Sequence, residues 1–505
     1  MITLQRLTLL AALVVSLLAG PAVAERLPRP AGIEPAVDFW KRVYTELAVT
    51  EGIIHDAGPA LTVIGRIDVA APPAWQARRS AVREALARYR DGLEQLAAQG
   101  MQPAGDFQAH LRANLPEAMT PAEARRLAER LRFQGGLRER FRDGLERSGR
   151  WRGYIREVLA ERAVPAELVA LPHVESSFNP LARSHAGAAG LWQFTAGTGR
   201  RFLRIDPVLD ERLDPWASTR AAAALLAHNH AEIDSWPLAI TAYNHGLNGM
   251  RRAVREVGSR DYMRIQRDYK GRYFGFASRN FYPALLAAAD VDREAGRYFP
   301  DLRREPPVEP ARVELAHFTP MATLLEGTAL DSATLQQLNP ALGPAVWDGR
   351  KFIPRGYALA LPAAAGADLR QAIAALPRAR LYRDQRPDVA HRVAAGETLS
   401  GIALRYGVDT RTLMARNGID NPRHLQAGQQ LRLPVAGGMP RAVGGEHYEV
   451  RPGDTLGAIA LQHGVDTRDL VRLNGIDDPD RLRVGQRLQI GDGPQVAVVD
   501  TATEP

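Results

Sequence analysis

Pro165-Ala-Glu-Leu-Val-Ala-Leu-Pro-His-Val-Glu175-Ser-Ser-Phe-Asn-Pro180 is the stretch on which the rest of the chain turns. Proline in a first helical turn costs no hydrogen bond, and Glu167 suits the positive end of the helix dipole. Leu168, Leu171 and Val174 form an apolar stripe, while Pro172 and Pro180 limit how far a helix can run. Glu175 therefore falls near a helix C-terminus, where the dipole disfavours a negative charge. If Phe178 and Trp192 also desolvate it, both effects raise its pKa. A carboxyl that keeps its proton at neutral pH is what a general acid needs.

Downstream, Gly187-Ala188-Ala189-Gly190 allows close backbone approach to a ligand. Leu191-Trp192-Gln193 then offers a ring and an amide, and Ala242-Tyr243-Asn244-His245-Gly246 a phenol and an amide at a helix end. Each element alone has a plainer explanation, a buried tryptophan or a capping asparagine. Their order is more specific. Glu175-Ser176, then Gly190-Leu191-Trp192-Gln193-Phe194, then Ala242-Tyr243-Asn244-x-Gly246 resembles the lytic transglycosylases with a goose-type-lysozyme-like catalytic domain, in particular the membrane-bound lytic murein transglycosylase D family.

That resemblance runs from about Phe39 onward and is tightest over Pro165 to Ala289. It implies a mainly α fold: a lysozyme-like helical catalytic domain, a helical N-terminal region and small βααβ modules at the C-terminus. It also implies non-hydrolytic cleavage of the β-1,4 bond between N-acetylmuramic acid and N-acetylglucosamine, leaving a 1,6-anhydro end. By position, Glu175 matches the single catalytic acid/base. Ser176, Ser184, Gly190, Leu191, Trp192, Gln193, Tyr243 and Asn244 match substrate-contacting positions. Where the family often has tyrosine this chain has Phe281, with Tyr282 beside it as a candidate substitute. Two other readings stand beside this one: a hydrolytic lysozyme using the same acid with water, and an inactive wall-binding scaffold.

The last quarter of the chain repeats itself. Val393-x2-Gly396-Glu397-Thr398-Leu399-x2-Ile402-Ala403 matches Val450-x2-Gly453-Asp454-Thr455-Leu456-x2-Ile459-Ala460. The register continues through Asn417/Asn474 to Leu431/Leu488, every pair offset by 57 residues. Such register marks a duplicated module. Each copy reads strand (391–393), helix (399–406), helix (410–417), strand (430–433), with the Gly-Glu/Asp-Thr turn supplying an N-cap. The pattern resembles LysM, a βααβ module that binds N-acetylglucosamine-containing glycans. Gly396, Glu397, Thr398, Asn417, Gly453, Asp454, Thr455 and Asn474 are its candidate glycan-binding residues. A weaker copy over 311–363 lacks the Gly-Asp-Thr turn. The expected division is 1–24, 25–150, 151–300, 311–363, 389–434, 446–491 and a tail, 492–505.

At 505 residues and roughly 150 per domain, about three or more units are expected. Hydrophobic and charged shares of 45% and 24% exclude a wholly disordered chain. All but three of the 65 cations (Lys41, Lys270, Lys351) are arginine, and the net charge is +8. No cluster resembles a nucleic-acid footprint, so no nucleic-acid partner is expected. With no cysteine there are no disulfides, no thiolate metal sites and no lipid-bearing N-terminal cysteine. Residues 1–24 read as a secretory signal: Arg6, an apolar run from Leu7 to Ala19, then Gly20-Pro21 and Ala22-Val23-Ala24. The run is shorter than the roughly 20 residues needed to span a bilayer. The expectation is an exported, periplasmic protein with no membrane span after signal cleavage and no lipid anchor. Peptidoglycan glycan strands are its partner, and partners among the wall machinery are not legible. No cofactor or metal is expected, since the histidines lack ligand spacing.

Val37 to Ala98 looks helical. His55-Asp56 reads as a packed or capping pair, and Asp206-Pro207 and Asp214-Pro215 as turn and cap signals.

Overall fold

The computed structural model describes residues 26–490 apart from 59, 72–73, 388–389, 407, 434–446, 451–453, 457–458, 460–469, 472–473 and 477–481. The expected signal (1–24), the tail (492–505) and Gly453 lie outside the described residues. Two compact units form. The first comprises residues up to Leu203 with Glu211–Val308, and the second Arg204–Asp210 with the chain from Glu309. The expected boundary near residue 150 therefore falls inside one unit.

The N-terminal region is not all helix, as its composition had suggested. After the helix Glu34–Thr45, β1 (Glu51–Asp56) and β2 (Val63–Asp68) pair antiparallel, and β3 (Leu131–Gly135) joins the other edge of β1 in the order β2-β1-β3. Gly52-Ile53-Ile54 and Val63-Ile64 are short β-branched runs that pack well on a pleated surface. The helices Trp75–Ala98, Asp106–Ala113 and Pro121–Glu129 complete this layer, burying Ile54, Ile64, Leu93, Leu96, Leu111 and Leu127 together. His55 is buried between Phe39 and Phe276, and burial lowers its pKa to about 4. Asp56 holds Arg130 through two 3.0 Å hydrogen bonds. The pair packs and anchors.

The rest of the first unit gathers round the helix Phe276–Arg293, which touches Glu34–Thr45, Trp236–His245 and Leu171–Ser176. Its last turns bury two carboxylates. Asp290 accepts from Arg29, Lys41 and Arg293. Asp292 accepts from Arg152 and Arg304, with His173 at 3.5 Å. These partners hold both carboxyls far below the usual range despite burial.

The second unit contains three antiparallel strand pairs among the described residues. β4 (Ala311–Glu314) pairs with β5 (Ala358–Leu361), β6 (Ala390–Arg392) with β7 (Gln430–Arg432), and β8 (His447–Glu449) with β9 (Arg487–Gln489). In the second of these the helices are Leu399–Arg405 and Thr410–Asn417, within a residue of the sequence reading. One side chain recurs. Asn417 donates to Leu413 O (2.7 Å) and Arg432 O (2.8 Å) and accepts from Arg432 N (2.6 Å). Asn474 does the same with Leu470 and Gln489, and Asn339 with Leu335 and Ala360. The segment closed by β4 and β5 lacks the Gly-Asp-Thr turn yet keeps this clasp between the helix Ser332–Leu338 and its last strand. Segment Arg204–Asp210 lies against it, with Leu209 bridged to Leu342 and Asp210 N donating to Ala341 O (2.9 Å).

Cutting the clasp has a measurable outcome. Asn417→Ala strips Arg432 of both main-chain partners, a loss of about 1–3 kcal/mol. Hydrogen exchange should quicken at Arg432 and across β6 and β7 while leaving β4 and β5 unchanged. Unaltered protection would show the clasp to be dispensable.

Candidate active site

Glu175 sits one residue before the end of the helix Leu171–Ser176, which a 3-10 turn, Ala166–Ala170, leads into. Leu168, Leu171, Pro172 and His173 are buried beneath it. Two successive left-handed residues, Ser177 (φ 50°) and Phe178 (φ 55°), then reverse the chain. The reversal is held from both sides: Phe178 N donates to Pro172 O, and Arg147 donates to Ser177 O at 3.0 and 2.7 Å. Phe178 is fully buried, its ring edge-on to His173.

The Glu175 residue keeps some exposure, but its carboxyl lies deep enough that burial alone raises its pKa to about 8. Among the described residues no hydrogen bond or ion pair reaches it, so nothing offsets the cost of its charge. Tyr243 is near enough for that charge to add to burial in raising the phenol well above its ordinary value. The Tyr243 hydroxyl donates to Trp192 O (2.8 Å), and its ring lies parallel to Phe281 at 6.5 Å.

The Gly187–Phe194 stretch forms a tight fold tied to Glu175's helix. Ser176 Oγ donates to Leu191 O (2.7 Å). Gly190 has φ +84°, and a Cβ there would stand 1.7 Å from Arg212 O. Gln193, also left-handed at φ 48°, donates its amide to Ala182 O and Gly190 O. Ser184 is exposed and its hydroxyl accepts from Ala188 N (3.0 Å). Asn244 is exposed, its Oδ1 accepting from Ser278 Oγ (3.1 Å).

Three expected ligand contacts do not fit. Trp192 is fully buried, with Nε1 donating to Thr219 Oγ1 (2.9 Å). Its ring is core, and Leu191 is buried likewise. Tyr282 is also fully buried; its hydroxyl donates to Pro28 O (2.5 Å) and its ring meets Tyr262. Neighbours on a helix point about 100° apart, so Phe281 takes the place beside Tyr243 and Tyr282 does not replace it.

Asp214 caps the helix Pro215–Ile233 through Trp216 N and Ala217 N, and Asp206 accepts from Val208 N and Leu209 N. His173 stacks on Phe141, and burial lowers its pKa. Thr219, Ser278 and the Arg212 carbonyl escaped the sequence reading. Each acts through a contact with a residue distant in the chain and belongs to no local pattern.

In the C-terminal modules, Gly396 (φ +84°) makes the turn and Thr398 caps the helix Leu399–Arg405. Glu397 accepts from Ala394 N and pairs with His391 (2.7 Å) and Arg405 (2.6 Å). At the matching places, Tyr448 donates to Asp454 Oδ2 (2.7 Å). Among the described residues no group of three or more His, Asp or Glu is arranged to hold a metal, and no helix is long and apolar enough to cross a membrane.

Comparison with known proteins bears on this arrangement. Residues 154–266 match the Transglycosylase SLT domain, and 391–434 and 448–491 each match the LysM domain. The chain is 29% identical over 337 residues to the membrane-bound lytic murein transglycosylase D of Escherichia coli K12, covering 64% of this chain and 72% of that one. It is 32% identical over 108 residues to the N-acetylmuramoyl-L-alanine amidase sle1 of Staphylococcus saprophyticus, covering 20% of this chain and 32% of that one. Among solved structures, the 70 kDa soluble lytic transglycosylase of Escherichia coli is 20% identical with a TM-score of 0.24, over 29% of this chain and 25% of that one.

Proposed function

We propose that this chain, which carries an SLT transglycosylase domain and two LysM domains, is an exported lytic transglycosylase. It cleaves the bond between N-acetylmuramic acid and N-acetylglucosamine in peptidoglycan. The observation that carries the reading is a single carboxyl, Glu175, its pKa raised to about 8 by burial and with no hydrogen bond or ion pair to it among the described residues.

Protonated Glu175 donates to the glycosidic oxygen as the bond breaks toward an oxocarbenium-like state. The carboxylate so formed sits in surroundings that penalise its charge, so it is a willing base. It takes the proton of the muramyl C6 hydroxyl, whose oxygen bonds to C1 and closes the 1,6-anhydro ring. One carboxyl serves both steps because the nucleophile belongs to the substrate, and no second group has to activate water. Ser184 and Asn244, exposed on the same unit, are the polar groups proposed to meet the sugar. Trp192 and Gln193 shape the wall from behind.

The LysM pair holds the enzyme on its polymer. Two weak modules on one chain raise effective concentration at a glycan strand without any new contact. The Asn339 clasp supports reading 311–363 as a third module of the same build. Residues 1–24 supply the export signal, and the place of action is the periplasmic wall.

Mass spectrometry of fragments released from purified wall tests this. The expected products end in anhydro sugars, one water lighter than reducing ends. Reducing ends would assign the chain to hydrolysis instead, and no release at all would leave it a wall-binding scaffold.

A further inference from the structure

The first compact unit contains a cavity of about 480 Å³ apart from Glu175, lined by residues of the N-terminal helix, the loop after β1 and the helices Tyr262–Asp268 and Phe276–Arg293. That volume is in the range of small-ligand sites. Ser278 and Phe281 of the long helix reach Asn244 and Tyr243. Arg279, Asn280 and Pro283, turned round the same helix, line the cavity. The two sites share one rigid element.

Its lining carries four cations, Arg130, Arg267, Lys270 and Arg279, and no carboxylate. Two are already matched: Arg130 by Asp56, and Arg267 by Asp268 at 2.7 and 2.9 Å. The other two form no ion pair: Lys270 lies near Asp268 without bonding to it, and Arg279 stands over the Phe274 ring at 4.7 Å. Lys270 donates to Arg267 O (2.8 Å), and Arg279 to Gln266 O and Tyr269 O. Burial lowers the Arg279 pKa. Arg279, partly desolvated with no carboxylate bonded to it, favours an incoming anion, and the exposed Lys270 adds positive charge at the rim. Ile33, Met263 and Pro283 add apolar wall.

We propose that this cavity binds the acidic peptide stem of the wall polymer, a carboxylate meeting Lys270 and Arg279 while a short alkyl side chain lies against Ile33 and Met263. A free inorganic anion would leave the apolar half unfilled, and a neutral sugar would leave the two cations unmatched. This deepens the proposed function, since it assumes that peptidoglycan is the substrate. It assigns to the cavity the recognition of the peptide, away from the bond that breaks.

The test is calorimetric titration of the full chain, as the non-cleaving Glu175→Gln variant, with synthetic L-alanyl-γ-D-glutamyl-meso-diaminopimelyl-D-alanine. Saturable binding is expected, weakened at least fivefold by Lys270→Glu and by amidating the peptide's carboxylates, and retained by Lys270→Arg. Lys270 is exposed, so the substitution leaves the core alone. Absent binding overturns the proposal. So does equal binding by Lys270→Glu or by the amidated peptide, or inorganic phosphate binding as tightly as the tetrapeptide. Neither turnover nor glycan enters the assay. Its failure leaves the transglycosylase reading intact, and failure of that reading is seen separately in the mass of the released ends.

Discussion

Glu175→Gln should lower turnover on purified wall by about 10³-fold or more, the scale of a lost general acid, while binding to insoluble wall persists through the LysM modules. Glutamine is nearly isosteric but has no proton to give and no charge with which to recover one. The wild-type pH profile should agree: with the carboxyl at about 8, activity falls as pH rises through that value and the acid form disappears. The same shift has a sign in stability. Glu175 in the folded chain binds its proton more tightly than in the unfolded chain, where a glutamate titrates at about 4.3. Folding stability is therefore lost progressively as pH rises from there toward 8. The variant carries no such group, so it should melt above wild type at pH 9 and near it at pH 4. Wild-type turnover in the variant, or parallel melting at both pH values, would remove Glu175 from the mechanism.

Gly190→Ala should be nearly as damaging, for reasons of backbone alone. Residue 190 is left-handed, and the methyl would stand 1.7 Å from Arg212 O. That oxygen is not free to retreat, because the Arg212 side chain is itself fixed on Gly187 O (2.8 Å) and Phe194 O (3.1 Å). Strain and overpacking together amount to about 3 kcal/mol or more. Relief would come by moving Leu191, whose carbonyl receives Ser176 beside Glu175. A lower urea midpoint and a collapse of turnover are expected together. Gly187 is the control: it is also left-handed (φ +77°) but has open space where a Cβ would go, so Gly187→Ala should cost only about 1 kcal/mol. Equal midpoints for the two variants would refute the close-approach argument.

What could be read from residues alone divides along physical lines. The repeat was plain because forty aligned positions constrain one another, and even the helix limits followed to within a residue. Glu175 was visible because a carboxyl among apolar residues at a helix end is chemically odd. Burial was not readable: Trp192 looks like a sugar platform in a string of letters, and only the chain's return through Thr219 makes it core. The Phe281/Tyr282 question turned on helical phase, which one residue of error inverts. The missing sheet shows another limit. Gly52-Ile53-Ile54-His55 is too short for its period to separate strand from helix, and β1 is specified by partners far along the chain, Ile53 pairing with Arg66 and Ile54 with Phe133.

The asparagine that fastens the last strand in each of the two LysM modules bonds only to peptide groups of that strand and is indifferent to which amino acids follow one another there. Outward-facing residues of that strand can therefore drift, and with them whatever each copy prefers to hold, without loosening the frame. A lineage that duplicated such a unit would inherit interchangeable sockets rather than identical hands.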